Sequence, residues 1–211
     1  MQLPVSNWSA MDEAARAAAL ERPALGIDGD IRVSVQSIIG RVREDGDAAI
    51  AALTKEFDGV QLENFAVDEA EKQAAIASLD KKALAAIDTA IANVQKFHVA
   101  QRPVAVSVET APGVLCERIA RPIDAVGLYV PAGSAPLPSA AIMLAVPAAI
   151  AECPVRVLCT PPRKDGRADP AVVAAATRAG VDTLLKVGGA QAIAALAYGT
   201  ESVPRVHKIF G

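Results

Sequence analysis

The first hundred residues of the chain carry apolar side chains at helical spacing. Two such stripes are separated by Gly46: Ile31, Val35, Ile38, Ile39 and Val42 lie before it, and Ala49, Ile50, Leu53 and Phe57 lie after it. Apolar positions three and four residues apart form one face of an amphipathic helix. The pattern therefore predicts two amphipathic helices joined by a tight Asp-Gly turn.

Other helices are predicted on both sides of this pair. Ser9 followed by Asp12 resembles a capping box, which predicts a short alanine-rich helix that ends before Pro23. Two more helices are predicted over residues 67–79 and 81–100, where apolar positions again form a stripe. We therefore expect residues 1–102 to be mainly helical.

At Pro103 the spacing changes from helical to alternating. The runs 104–108 and 114–119, separated by Ala-Pro-Gly, are typical of a β-hairpin, so residues 103–124 are interpreted as a hairpin and connector. Strands then alternate with helices: strands at 125–130, 155–160, 183–187 and 206–210, and helices at 138–151, 170–179 and 190–197. This alternation predicts an α/β fold whose mostly parallel, Rossmann-like sheet occupies residues 125–211. Pro147 should kink or split its helix.

Composition excludes several classes of partner. Lys plus Arg number 21 against 24 for Asp plus Glu, and the net charge of −3 leaves no basic face for nucleic acid. Three cysteines are an odd number at no metal-ligand spacing, which favours buried free thiols in a reducing compartment. The amino terminus has no signal-peptide pattern, and the longest apolar run, residues 140–151, is too short to cross a bilayer. We expect a cytoplasmic protein with no membrane partner.

Ligands of an open parallel sheet bind at the carboxyl ends of its strands, so the strand-end loops are the candidate sites. After the first strand, the loop 131–137 is rich in proline and small residues, which suits either a ligand or a rigid turn. Gly188 and Gly189 lead from the third strand to Gln191, in the first turn of a helix. That glutamine suits a ribose hydroxyl or a carboxamide, but it also suits a simple helix cap, and spacing leaves both possibilities open.

No catalytic or metal-ligating residue is predicted within this chain. His98 lies at the end of a helical stripe, where a buried or dipole-stabilising role is favoured, and His207 lies in a predicted strand without an adjacent partner. The sequence places no cation beside Cys159, so a nucleophilic thiol is disfavoured. Neither a positioned general base nor a metal site is therefore evident from the sequence.

Three stretches carry a resemblance to a known family. They are GLYVPAGSAPLPSAAIMLAVPAAIA, VLCTPP, and GVDTLLKVGGAQAIAALAYGTESVPRVHKIFG. Together they closely resemble histidinol dehydrogenase, with similarity from about Val33 to the last residue and its most specific part from Arg118 onward. One departure is Ala132, where the family usually has the first glycine of a pair.

The resemblance implies an NAD- and zinc-dependent alcohol and aldehyde dehydrogenase that oxidises L-histidinol through L-histidinal to L-histidine with two NAD. It implies that Tyr129 and Gln191 bind the cofactor and that the fold is an incomplete Rossmann-like domain of aldehyde-dehydrogenase-like architecture. The family's third cofactor residue, its zinc ligands and its acid-base pair all fall after Gly211. We therefore expect the amino-terminal half of a homodimeric enzyme, inactive by itself.

Two alternatives stay open from the sequence. One is a shortened protein that serves in binding or assembly without catalysis. The other is a family member that oxidises a different small amino or sulfonated alcohol, because the implied substrate-binding residues lie outside this chain.

Overall fold

The computed structural model describes residues 5–21, 29–132 and 135–211. The helices are α1 (Glu13–Leu20), α2 (Gly29–Phe57), α3 (Glu69–Ser78), α4 (Lys81–Ala100), α5 (Pro138–Ile150), α6 (Pro170–Arg178) and α7 (Gly189–Tyr198). The strands are β1 (Val106–Ala111), β2 (Val114–Arg118), β3 (Ala125–Tyr129), β4 (Val155–Cys159), β5 (Thr183–Leu185) and β6 (Lys208–Phe210). Pro23, and Gly133 and Ser134 of the first strand-end loop, lie outside the described residues.

The chain divides into two compact units, residues 1–34 and 35–211. In the first unit, Ser9 is not the cap of α1 as the sequence suggested, because it lies within a short 3-10 turn. Asp12 is the cap instead, and its carboxylate accepts the Ala15 N–H at 2.7 Å. An aspartate binds the free amides of a first turn as well as serine does, so the cap lies three residues later than predicted.

The second unit contains a four-stranded sheet in the order β5-β4-β3-β6, with every neighbouring pair parallel. When these four strands are numbered 1 to 4 along the chain, their order in the sheet is 3-2-1-4, which is the order of a doubly wound dinucleotide-binding sheet. The winding reverses between β3 and β6. The predicted α/β fold, with a helical amino-terminal region and a parallel sheet, is confirmed, and β1 and β2 form the predicted separate antiparallel hairpin.

Both faces of the parallel sheet are covered by helices. Alternate strand residues pack on opposite sides: Leu158 joins a cluster with residues of α3, α4, α5 and α6, whereas Val157 and Cys159 join a cluster with residues of α2 and α7. A strand buried on both faces needs a continuous apolar run, which is why the alternating pattern of the hairpin is absent here. Gly127 lies under α7, because a Cβ there would be 2.9 Å from Leu196 Cδ1.

A polar clamp fixes the second half of α2. Gly46 breaks the helix with φ of 51° and ψ of −127°, as the two apolar stripes predicted. The carboxylate of Asp47 accepts hydrogen bonds from the hydroxyls of Thr200 and Ser202, in the segment after α7. In return, Glu201 accepts the Asp47 N–H at 3.0 Å. Although burial acts to raise the pKa of Asp47, the donated hydrogen bonds outweigh it and the pKa is lowered. We call these four residues the Asp47 clamp.

Several predicted elements differ from the structure, and strand β6 begins at Lys208 rather than at residue 206. Helix α5 continues through Pro147 and is not split. Strand β5 ends at Leu185 rather than at residue 187, because the Lys186 N–H bonds to the Phe65 carbonyl at 2.7 Å outside the ladder. The Lys186 ammonium then pairs with Glu71 at 2.9 Å in a largely buried position.

No helix in the described ranges combines the length and apolar character that a membrane crossing needs.

Candidate functional site

The candidate site lies at the carboxyl end of β3, beside the point where the winding of the sheet reverses. Tyr129 is the last residue of β3, and the end of β6 comes close to it, because a Cβ on Gly211 would be 3.1 Å from both the Tyr129 Cβ and its carbonyl oxygen. In doubly wound sheets this reversal opens a crevice where ligands bind. The resemblance had pointed to Tyr129, and the topology places it at that crevice.

A hydrogen bond joins Tyr129 to the beginning of α7. The half-buried ring packs in the cluster formed with α2 and α7, and the hydroxyl accepts the Gly189 N–H at 3.0 Å. This N–H is one of the amides that a helix leaves unpaired in its first turn. Because the hydroxyl accepts in this bond, its own proton remains free to be donated to a ligand.

Gln191 lies in the same first turn and is 1% exposed. Its Oε1 is 2.6 Å from the position that a Cβ on Gly189 would take, so the side chain folds back against that glycine. The N-cap residue of α7, Gly188, carries no side chain to cap the helix, and the Tyr129 hydroxyl accepts the hydrogen bond of its first amide instead. The structure thus brings Tyr129 and Gln191 to one helix start, on either side of Gly189.

The two glycines before Gln191 are required by space and by backbone angle. A Cβ on Gly188 would be 2.6 Å from Pro161 Cγ, in the loop after β4. Gly189 has φ of 62°, in the left-handed region that side chains disfavour. The close approach of two loops therefore depends on residues that carry no side chain.

A cavity of about 550 Å³ adjoins this edge of the sheet. Its lining residues come from the end of α2 and from the loops after β3 and β4: Phe57, Asp58, Ala132, Pro161, Pro162, Arg163, Lys164 and Asp165. No pattern in the sequence selects Asp58. Only the folded chain brings it next to a loop more than a hundred residues away.

The remaining candidate residues lie apart from this site. His98 is half-buried in the last turn of α4, with its ring edge-on to Phe97, and His207 is exposed before β6. Cys159 is buried, and burial raises the pKa of its thiol to about 12, so it is not a nucleophile at neutral pH. Cys116 is exposed, which corrects the expectation that all three thiols are buried.

The described residues do not fit a zinc site. Over residues 5–21, 29–132 and 135–211, no group of three or more His, Cys, Asp or Glu side chains could hold a metal ion. Zinc in proteins takes three or four such ligands.

Comparisons with known proteins agree with the motifs. A sequence model of histidinol dehydrogenase matches residues 20–211. The chain is 54% identical to the histidinol dehydrogenase of Xanthomonas oryzae pv. oryzae over 209 residues, covering 99% of this chain and 48% of that protein. It is 48% identical to the enzyme of Vibrio vulnificus, covering 97% of this chain and 46% of that protein. The crystal structure of histidinol dehydrogenase from Elizabethkingia anophelis superposes with a TM-score of 0.90 at 37% identity, covering 95% of this chain and 46% of the other. The chain spans about half the length of these relatives, and it belongs to the histidinol dehydrogenase family.

Proposed function

We propose that this chain forms the NAD-binding part of a histidinol dehydrogenase, an oxidoreductase of histidine biosynthesis. The proposed parent activity converts L-histidinol through L-histidinal to L-histidine, as an alcohol and aldehyde dehydrogenase. The observation that carries the proposal is the Tyr129–Gly189 hydrogen bond at the reversal point of a sheet with dinucleotide-binding strand order. Family membership supports the choice of reaction.

The first turn of α7 is suited to hold one part of the cofactor. Its amides and the helix dipole favour an anionic group such as a pyrophosphate. The Gln191 amide both donates and accepts hydrogen bonds, and the Tyr129 hydroxyl retains a proton to donate. Bound NAD supplies the hydride acceptor for each of the two oxidations. The contribution of this chain is to bind and orient that cofactor.

We propose that the zinc and the acid-base pair of the parent activity come from residues outside 1–211. The described residues offer no metal cluster, His98 lies in the last turn of α4, and the His207 N–H bonds to the Ala125 carbonyl, at the opposite end of β3 from Tyr129. Residues 1–211 alone should therefore bind NAD weakly, retain no stoichiometric zinc and fail to oxidise histidinol. A positioned proton acceptor contributes on the order of 10² to 10⁴ in rate, and its absence adds to that of the metal.

The cofactor site is tested by calorimetric titration of NAD into residues 1–211. The chain has two tyrosines, so Tyr198→Phe is a matched control for Tyr129→Phe. Tyr198 is 48% exposed and stacks with Arg43, away from the site. Gln73→Ala, on the exposed surface of α3, is the control for Gln191→Ala.

We expect the two site variants to weaken NAD binding about tenfold and the two controls to leave it unchanged, because each site residue offers one or two polar contacts. Equal effects of site and control variants would overturn the assignment. Formation of NADH from histidinol by residues 1–211, at a rate similar to that of a full-length relative, would show that the acid-base groups lie in this chain.

We also propose that the chain self-associates as a homodimer in the cytoplasm. The hairpin β1–β2 is exposed along its whole length, and it carries Val108 and Leu115, which are 51% and 61% exposed. A two-stranded hairpin with apolar residues on its surface is marginally stable unless something covers it. Light scattering that gives a monomer at high concentration would contradict self-association.

A further inference from the structure

Glu71, in the first turn of α3, joins two segments that leave the sheet at different strands. Its Oε1 accepts the Ala168 N–H at 2.9 Å, near the end of the loop after β4. Its Oε2 accepts a hydrogen bond from the Lys186 ammonium at 2.9 Å, one residue after β5. A single carboxylate therefore binds the loop after β4 and the exit of β5 at the same time.

The charges of this pair lie where charge is costly. The side chains of Glu71 and Lys186 are 13% and 10% exposed, respectively. Removing both charges from water costs free energy that their attraction only partly returns, and an apolar pair of similar volume is often equally stable. Stability alone is therefore a weak reason for the pair, and the two segments that the carboxylate joins supply a stronger one.

The loop after β4 carries this restraint from its end to its beginning. It closes on itself, because the Arg163 N–H donates to the Arg167 carbonyl at 2.8 Å and the Gly166 N–H donates to the Arg163 carbonyl at 2.9 Å. Displacement is transmitted through elements that are held rigid by such bonds. A shift of the loop at Ala168 should therefore also move Pro161.

Pro161 in turn contacts the residues that begin α7. A Cβ on Gly188 would be 2.6 Å from Pro161 Cγ, so no side chain fits between the two residues. The next residue, Gly189, donates its N–H to the Tyr129 hydroxyl at 3.0 Å. Lys186 precedes this turn in the same segment. The contacts form a closed ring that runs from Glu71 through Ala168, Pro161, Gly188 and Lys186 back to Glu71.

We propose that Glu71 is a positioning residue for the start of α7. By holding the loop after β4 and the exit of β5 together, it keeps Gly189 at the distance from which its N–H reaches the Tyr129 hydroxyl. For its consequence the inference rests on the proposed NAD-binding function, to which it adds a residue that acts through others. Breaking the ring lowers the population of the binding-competent turn, and the apparent affinity for NAD falls by the same fraction.

The test measures the Gly189 amide by NMR hydrogen exchange on residues 1–211 without any ligand. Tyr129→Phe removes the acceptor and gives the exchange rate of the unbonded amide. We expect Glu71→Ala to raise the exchange rate of this amide about tenfold, the size of one lost hydrogen bond to a charged acceptor. Glu71→Gln has one acceptor oxygen where the carboxylate has two, and it should raise the rate about threefold. This variant decides the question if the alanine variant does not fold.

A control variant separates positioning from stability. Asp80 caps α4, where its carboxylate accepts the Ala83 N–H at 2.6 Å, so Asp80→Ala destabilises the chain through a helix that leads to the hairpin rather than to the sheet. The Gly199 N–H, which bonds to the Ala195 carbonyl at the other end of α7, is the reference amide. Asp80→Ala should lower the midpoint of thermal unfolding and leave the ratio of the Gly189 and Gly199 exchange rates unchanged, whereas the Glu71 variants should raise that ratio.

Calorimetric titration of NAD into the same variants links the ring to binding. We expect Glu71→Ala to weaken NAD binding about threefold to tenfold and Asp80→Ala to leave it unchanged at a temperature where both variants are folded. A lower unfolding midpoint in the Glu71 variants with an unchanged exchange ratio would overturn the inference. So would unchanged affinity for NAD in Glu71→Ala when Gln191→Ala weakens it, and the cofactor site would then stand without Glu71. If the exchange ratio rises but NAD does not bind the unaltered chain, Glu71 does position the turn and the proposed cofactor site is wrong.

Discussion

Replacing Gly189 with alanine tests the geometry of the candidate site most directly. Two costs are expected. The first is backbone strain, since φ of 62° costs a residue with a Cβ about 1–2 kcal/mol. The second is steric, because the new Cβ would be 2.6 Å from Gln191 Oε1. A glutamine side chain is flexible, but this one is 1% exposed, and forcing buried atoms apart costs about 1–3 kcal/mol.

A second glycine separates these two costs. Gly180 has φ of 84°, but a Cβ there meets no atom within 4 Å, so Gly180→Ala reports the backbone strain alone. Measured by urea unfolding, Gly180→Ala should lower the free energy of unfolding by about 1–2 kcal/mol and Gly189→Ala by about 2–4 kcal/mol. In a Gln191→Ala background the extra cost at residue 189 should disappear, as a double-mutant cycle would show.

Equal costs at the two glycines would refute the reasoning. So would an extra cost at residue 189 that persists when Gln191 is alanine, because then Gln191 would not be the group displaced. Either result would place the Gln191 amide away from the first turn of α7 and would remove the geometric basis for its role in cofactor binding.

Three other expectations concern groups outside the cofactor site. Asp47→Asn should lower the free energy of unfolding by about 1–2 kcal/mol at neutral pH. Because the pKa of Asp47 is lowered in the folded chain, the stabilisation that its carboxylate provides is lost as the pH falls through that pKa. The difference in free energy of unfolding between the variant and the unaltered protein should therefore vanish in acid. Breaking the buried pair with Lys186→Met should cost about 3 kcal/mol, whereas the double variant with Glu71→Gln should cost less, because no unpaired charge then remains. Ellman's reagent should react rapidly with one thiol per native chain, Cys116, and with all three only after unfolding.

The elements that the sequence predicted well are those with a long local pattern. Helix α4 spans the predicted residues 81–100, and the break at Gly46 follows from a single glycine between two stripes. Strand β5 was predicted too long, because the run 183–187 is mostly apolar but the Lys186 N–H bonds to the Phe65 carbonyl instead of to β4. Local patterns identify such elements, whereas a distant backbone partner decides where one ends.

The candidate site was predictable only in part. Tyr129 and Gln191 came from a resemblance, and spacing alone left Gln191 undecided between a ligand role and a cap. The structure adds that the Gln191 side chain is buried and lies against Gly189, which no local pattern indicates. Asp58 could not have been found, since it lies in contact with Lys164 only through tertiary packing across 106 positions of sequence.

The distribution of helix caps gives an independent reason to expect a ligand beside Tyr129. Helices α1, α3, α4 and α6 are each capped by an aspartate, whereas the N-cap residues of α5 and α7, Leu137 and Gly188, make no side-chain cap hydrogen bond. A missing cap costs about 1 kcal/mol, so its omission at two helices needs a reason. Helix α5 follows β3 directly, and α7 begins at the Tyr129 hydroxyl, so both uncapped starts flank the end of the same strand. An aspartate at either start would repel a pyrophosphate, whereas free amides attract one. The fold therefore lacks a stabilising N-cap side chain at the two helix starts where an anion would bind, and it has an aspartate cap at the other four helices whose N-caps are described.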